Sequence, residues 1–329
     1  MNIVPNRDFA LAEAATGEAD VQGDTPNYED VDFPALVRAI LPERATEFDA
    51  LLRQLGGVTF QVDDTAERIK FQADPIGVRV IVGIACLGRL FVHAHTDYTA
   101  FDFLLKLHHQ GRTSADLAPE EREALREIDE LLTWAVTMDV NTAVKMIRRS
   151  DQAPPPPESL VRLLDIDPES VSEHATRAVF ENALTFIILH EITHLKNSDG
   201  ACVGDRSIQQ EKDADRGAAA WMLEDIEFDN TFMLRAFGIA VALTWLTTLD
   251  VYLGPNEGNT HPPAYDRLSQ VIGQYACDDD DPACETTWAF IYSILIIHLR
   301  NRQILLSPDH LMGPFRERAE CCINLIANQ

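Results

Sequence analysis

The run Leu189-His190-Glu191-Ile192-Thr193-His194-Leu195 sets two histidines four residues apart, with a glutamate beside the first, among helix formers. On an α-helix, residues i and i+4 share a face, so both imidazoles can be turned to one point. Two neutral imidazoles on one face are half of a tetrahedral Zn2+ site. Glu191 then projects near the position that such a site leaves open. There a carboxylate can take a proton from water that the metal has acidified to a pKa of roughly 7.

A catalytic zinc site takes three protein ligands and keeps one position for water. Glu211 and Asp215 stand four apart in Gln210-Glu211-Lys212-Asp213-Ala214-Asp215, on what should be the next helix. One of them can bind the ion while the other accepts the spare N–H of a ligand histidine and fixes its tautomer. Between the two helices, Asn197-Ser198-Asp199-Gly200 and Gly204-Asp205 are stop and turn signals that let the chain double back. Further on, His261 precedes Pro262-Pro263, and Arg267 stands six residues later on a helix started by proline.

His190-Glu191-x-x-His194, Glu211-x-x-Ala214-Asp215 and His261-Pro262-Pro263 with Arg267, in this order, resemble the gluzincin metallopeptidases. The resemblance is closest to the branch of the HtpX and CAAX prenyl-protein proteases, with a second likeness to the soluble phage-exclusion Lit-like peptidases. It covers about residues 170–275. It implies Zn2+ as cofactor, with His190, His194 and Glu211 as ligands and Glu191 as general base and acid. Asp215 would hold a ligand histidine, and His261 with Arg267 would steady the oxyanion. His261 could equally be a temporary fourth ligand. The HtpX and CAAX enzymes are integral membrane proteins and this chain shows no clear span, so their substrates do not carry over.

The elements around these residues suggest an α+β, mainly helical, zincin-like fold with a small antiparallel sheet ahead of the active-site helix. Residues 1–30 read as a flexible acidic leader, 31–115 as an N-terminal α+β region and 116–329 as a mainly helical zinc metallopeptidase region. Phe33 to Leu55 has helical spacing and ends at Gly56-Gly57. Four strands are expected, at 58–62, 68–72, 78–82 and 90–93. In gluzincins such a sheet lies over the active-site helix and its edge strand takes up the substrate backbone. His93 and His95 would share a strand face, but no carboxylate pattern accompanies them, and they are not read as a metal site.

Pro119 to Arg149 reads as helical, with a break at Asn141-Thr142, and Pro154–Pro157 as a spacer. Asp167 and Pro168 read as the cap and first residue of the long helix, and Ser207 with Gln210 as a capping box for the Glu211 helix. The apolar stretches 236–249 and 288–299 fall short of the roughly 18 residues of a membrane span and read as buried helices.

At 329 residues the chain can bury a full core. It carries 27 basic and 53 acidic residues, a net charge of −26, which repels phosphate backbones and anionic lipid. Nucleic acid and membrane are therefore not expected partners; a protein or peptide substrate is. The start of the chain shows no export signal, which suggests a cytoplasmic protein with reduced cysteines. The function so read is a zinc-dependent endopeptidase acting on an intracellular protein. Its rivals are a catalytically silent zinc-stabilised binding module and a membrane-associated HtpX-like protease.

Overall fold

The computed structural model describes residues 31–63, 71–112, 117–137, 171–199, 205–253, 264–276, 281–304 and 313–327. The acidic leader, Asn141-Thr142, the polyproline run, the Asp167-Pro168 helix start and His261 lie outside them.

The first helix, α1 (Phe33–Ile40), is capped by Asp32, whose carboxylate accepts the Ala35 N–H at 2.9 Å. The helix expected over 33–55 is broken. Pro42 cannot extend α1, and a 3-10 turn (Pro42–Arg44) leads into α2 (Ala45–Gln54). That helix stops where expected: Gly56 and Gly57 both take positive φ, and their amides fold back onto Arg53 and Leu52.

Next comes a three-stranded sheet, built from β1 (Thr59–Asp63), β2 (Phe71–Asp74) and β3 (Arg79–Gly83) in the order β1-β3-β2. It is mixed rather than antiparallel. β2 and β3 form a hairpin, whereas β1 pairs parallel to β3. Alternation of apolar residues is the same for either strand direction, so it does not reveal this. The stronger cue is that Val80 and Val82 are fully buried, which marks β3 as the central strand.

Residues 90–93, expected as a strand, belong to the long helix α3 (Ile84–His109). The helix is buried on nearly every side through residues 84–97, so its sequence lacks an amphipathic rhythm and a short piece of it imitates a buried strand. α4 (Pro119–Thr137), α5 (Val171–Asn197), α6 (Asp205–Leu223), α7 (Asn230–Leu253), α8 (Ala264–Tyr275), α9 (Pro282–Asn301) and α10 (Phe315–Ala327) complete the described chain. α6 already runs from Asp205, so Ser207 lies in its first turn and is not its cap.

The main hydrophobic core of the described residues runs from Phe33 on α1 to Ile326 on α10, and a smaller cluster joins α3, α4 and α9 around Leu125 and Ile297. Helix α5 lies at its centre, packed by α3, α6, α7 and the sheet. Helix α9 is long and apolar enough to cross a membrane by length and composition, but 83% of its apolar stretch is buried inside the structure.

The α5–α7 contact depends on Gly238. A Cβ there would lie 2.4 Å from Asn182 Cβ and 2.7 Å from the Ala183 backbone nitrogen. Gly238→Ala must push the two helices apart, and the expected cost is about 3 kcal/mol. Gly273 on α8 has open space around it, so Gly273→Ala is expected to stabilise by about 0.5–1 kcal/mol through helix propensity. Urea denaturation of both variants checks the opposite signs.

Candidate metal centre

Two helices bring the donor atoms together. On α5, His190 and His194 are one turn apart and turn their Nε2 atoms to within 3.1 Å of each other. Helix α6 packs closely against this turn because residue 217 is glycine; a Cβ there would meet Thr193 at 2.9 Å. The packing sets Glu211 across from both imidazoles. Its Oε2 lies 3.4 Å from His190 Nε2 and its Oε1 lies 3.4 Å from His194 Nε2. His190 and Glu211 are buried and His194 is nearly so.

Each imidazole is fixed from behind. His190 Nδ1 lies 3.0 Å from Asp215 Oδ1, and His194 Nδ1 lies 3.0 Å from Asp199 Oδ2. In the neutral form that ligates a metal, those N–H groups donate outward and leave both Nε2 lone pairs on the side of Glu211. Asp215 is in turn held by Arg267, whose Nε and Nη2 donate to its two oxygens at 2.6 and 2.8 Å. Arg267 Nη2 also lies 3.5 Å from Glu211 Oε2.

The end of α5 explains Asp199. Ser198 takes φ of 55°, its amide bonds Leu195 O at 3.1 Å, and the Asp199 amide bonds His194 O at 3.0 Å. This Schellman turn folds the chain over the last helical turn and sets the Asp199 carboxylate beside the His194 ring. Gln210 on α6 donates to the other Asp199 oxygen at 3.0 Å, linking the turn to the helix that carries Glu211.

Charge is set by this geometry. Burial alone would push the His190 pKa down, but Asp215 and Glu211 outweigh it and hold the pKa up at about 10. Burial would likewise raise Asp215, yet Arg267 and His190 hold it down at about 2. The cluster is thus built to retain positive charge between its carboxylates. Ligands of a tetrahedral zinc ion at about 2.0–2.1 Å stand about 3.3–3.4 Å apart. The separations of 3.1, 3.4 and 3.4 Å among His190, His194 and Glu211 match that spacing. These three residues can hold a metal ion.

Glu191 is also buried. Its Oε2 accepts the Ala73 N–H of β2 at 2.6 Å, which anchors the carboxylate at the sheet edge next to the histidines. Sequence patterns do not single out three members of this neighbourhood: Ala73, Asp199 and Gln210. By composition Asp199 is only part of a turn, although its place five residues after His194 carries the signal. The edge contact through Ala73 has no side chain to announce it. Arg267 makes a buried ion pair with Asp215.

Comparison with known proteins adds to this picture. The family model described as Peptidase U49 matches residues 87–291. The Cell death peptidase of Escherichia coli (strain K12) is 30% identical over 167 residues, which are 50% of this chain and 52% of that protein. The chain thus spans about half the length of the curated relative it matches. No solved structure matches it.

Proposed function

Since the chain belongs to the Peptidase U49 family, we propose that it hydrolyses peptide bonds as a zinc-dependent endopeptidase of the zincin type. The observation that carries this reading is the convergence of His190, His194 and Glu211 at ligand spacing with the Glu191 carboxylate alongside. His190, His194 and Glu211 would hold the zinc ion, which when bound would supply Lewis acidity and lower the pKa of water. Glu191 accepts the proton of the attacking water and passes it to the leaving amine. The Ala73 N–H holds one oxygen of the Glu191 carboxylate in place.

Asp215 and Asp199 fix the ligand tautomers, and Arg267 is a positioning residue that acts through Asp215 and Glu211. The oxyanion is assigned to His261, where one donor is worth about 3–4 kcal/mol. β2 is the edge of the sheet next to α5, and an extended peptide adding to that edge would place its backbone beside Glu191. The substrate is accordingly a protein or peptide presenting an extended segment.

The test is reversible loss of metal. Full-length protein is incubated with a host lysate and new N-termini are counted. Stripping the protein with a chelator is expected to abolish cleavage, and Zn2+ added back is expected to restore it. Cleavage that persists after complete metal removal would overturn the assignment.

A further inference from the structure

His93 and Asp97 stand four apart on α3, and His298 faces them from α9. His93 Nε2 lies 3.3 Å from Asp97 Oδ2, and His298 Nε2 lies 3.9 Å from Asp97 Oδ1. The two rings meet nearly edge to face at 5.5 Å. All three residues are buried, at 0, 0 and 3% exposure.

Their polar atoms are not satisfied. Both nitrogens of His93, both oxygens of Asp97 and Nε2 of His298 make no hydrogen bond among the described residues. A buried polar atom left in this state costs about 1–3 kcal/mol, and native interiors hold few of them. The Thr244 hydroxyl bears on the Asp97 carboxyl and works against burial there, while its hydrogen bond of good geometry goes to the carbonyl of Ala240 at 2.8 Å. Each of the three residues thus brings at least one unsatisfied atom to a common spot in the centre of a helical core, a grouping that one bound ion would satisfy.

We propose that His93, Asp97 and His298 form a second metal site, separate from the first, for a divalent transition ion of the zinc class. Two imidazole nitrogens and one carboxylate oxygen suit such an ion and disfavour calcium or magnesium, which take oxygen ligands. One donor atom from each residue lies within 4.8 Å of the others, so small side-chain movements bring all three onto one ion. Burial keeps both imidazoles unprotonated, the form that ligates; it holds His93 down at about 3 and lowers His298 as well. Burial raises the Asp97 carboxyl as well, against the Thr244 hydroxyl that lowers it.

His95, two residues from His93 and so on another side of α3, takes no part. The site pins α3 to α9 inside the core, which is a structural role. It uses none of the residues of the first centre, so the two proposals stand or fall separately.

Metal counting decides it. Wild-type full-length chain loaded with Zn2+ and freed of excess is expected to hold two ions, and His190→Ala/His194→Ala is expected to hold one. Adding Asp97→Asn, which preserves volume, is expected to bring the count to zero. X-ray absorption of the double variant is expected to show a nitrogen and oxygen shell with imidazole scattering, which answers the question even where the triple variant does not fold. No ion in the double variant, a full equivalent in a folded triple variant, or sulfur in the ligand shell would each overturn the site.

Discussion

Glu191→Gln is expected to bind metal as the wild type does while peptide hydrolysis falls by about a thousandfold or more. General acid–base catalysis by one placed group contributes about 10²–10⁴-fold, and Glu191 serves twice, once towards water and once towards the amine. Glutamine keeps the length of the side chain and can still accept the Ala73 N–H through its amide oxygen. The substitution therefore removes the basicity and little else. The measurement pairs metal content with single-turnover cleavage of a protein substrate. Equal cleavage by both forms would remove Glu191 from the mechanism. Full metal content with no cleavage by the wild type either would favour a silent binding module.

The second large effect concerns stability and metal affinity together. Asp215→Ala takes the carboxylate away from the buried Arg267 guanidinium and from His190 Nδ1 at once. Removing one partner of a buried ion pair typically costs about 3–5 kcal/mol. Loss of the group that orients a ligand histidine typically weakens metal binding about 10–100-fold. Urea denaturation of the metal-free protein and a competition titration with a zinc chelator read the two effects separately. The sign of the pH dependence is given by the Asp215 pKa, held at about 2 against an ordinary 3.8. A carboxylate with a lowered pKa contributes stability above its unfolded value and loses it as the pH falls through the folded one. The gap between wild type and Asp215→Ala is therefore expected to narrow as the pH falls from about 4 towards 2. A gap that widened on acidification would show that Asp215 is not stabilised as an anion.

How much of the site is legible in the sequence depends on the range of the interaction. His190, Glu191 and His194 sit within one and a half turns of a single helix, where the side-chain period fixes their mutual placement. Glu211 and Asp215 are visible as an i, i+4 pair, but which of them faces the imidazoles depends on the turn between the helices. The structure brings Glu211 to both Nε2 atoms and Asp215 to the far side of His190. Asp199 and Ala73 escape sequence reasoning because their parts depend on a left-handed residue at 198 and on a backbone amide at a sheet edge. The first leaves only the offset of Asp199 from His194, and the second leaves no mark in residue chemistry.

The sheet and α3 show the other limit. Strand direction cannot be read from alternation, so the parallel β1–β3 pairing is out of reach. The run from Leu90 to His93 looks extended because helix α3 is enclosed on nearly all sides. The same ambiguity misdirects the reading of His93. As a strand residue it pairs with His95, whereas in a helix its neighbours are four away, at Asp97.

The connection after His194 is metered, although its composition is that of a loop. Each residue added to or removed from a helical stretch rotates the downstream chain by about 100°. A single insertion between His194 and Asp199 would swing the carboxylate away from the ring it braces and from Gln210 of α6. Length in this short stretch is therefore held more tightly than residue identity.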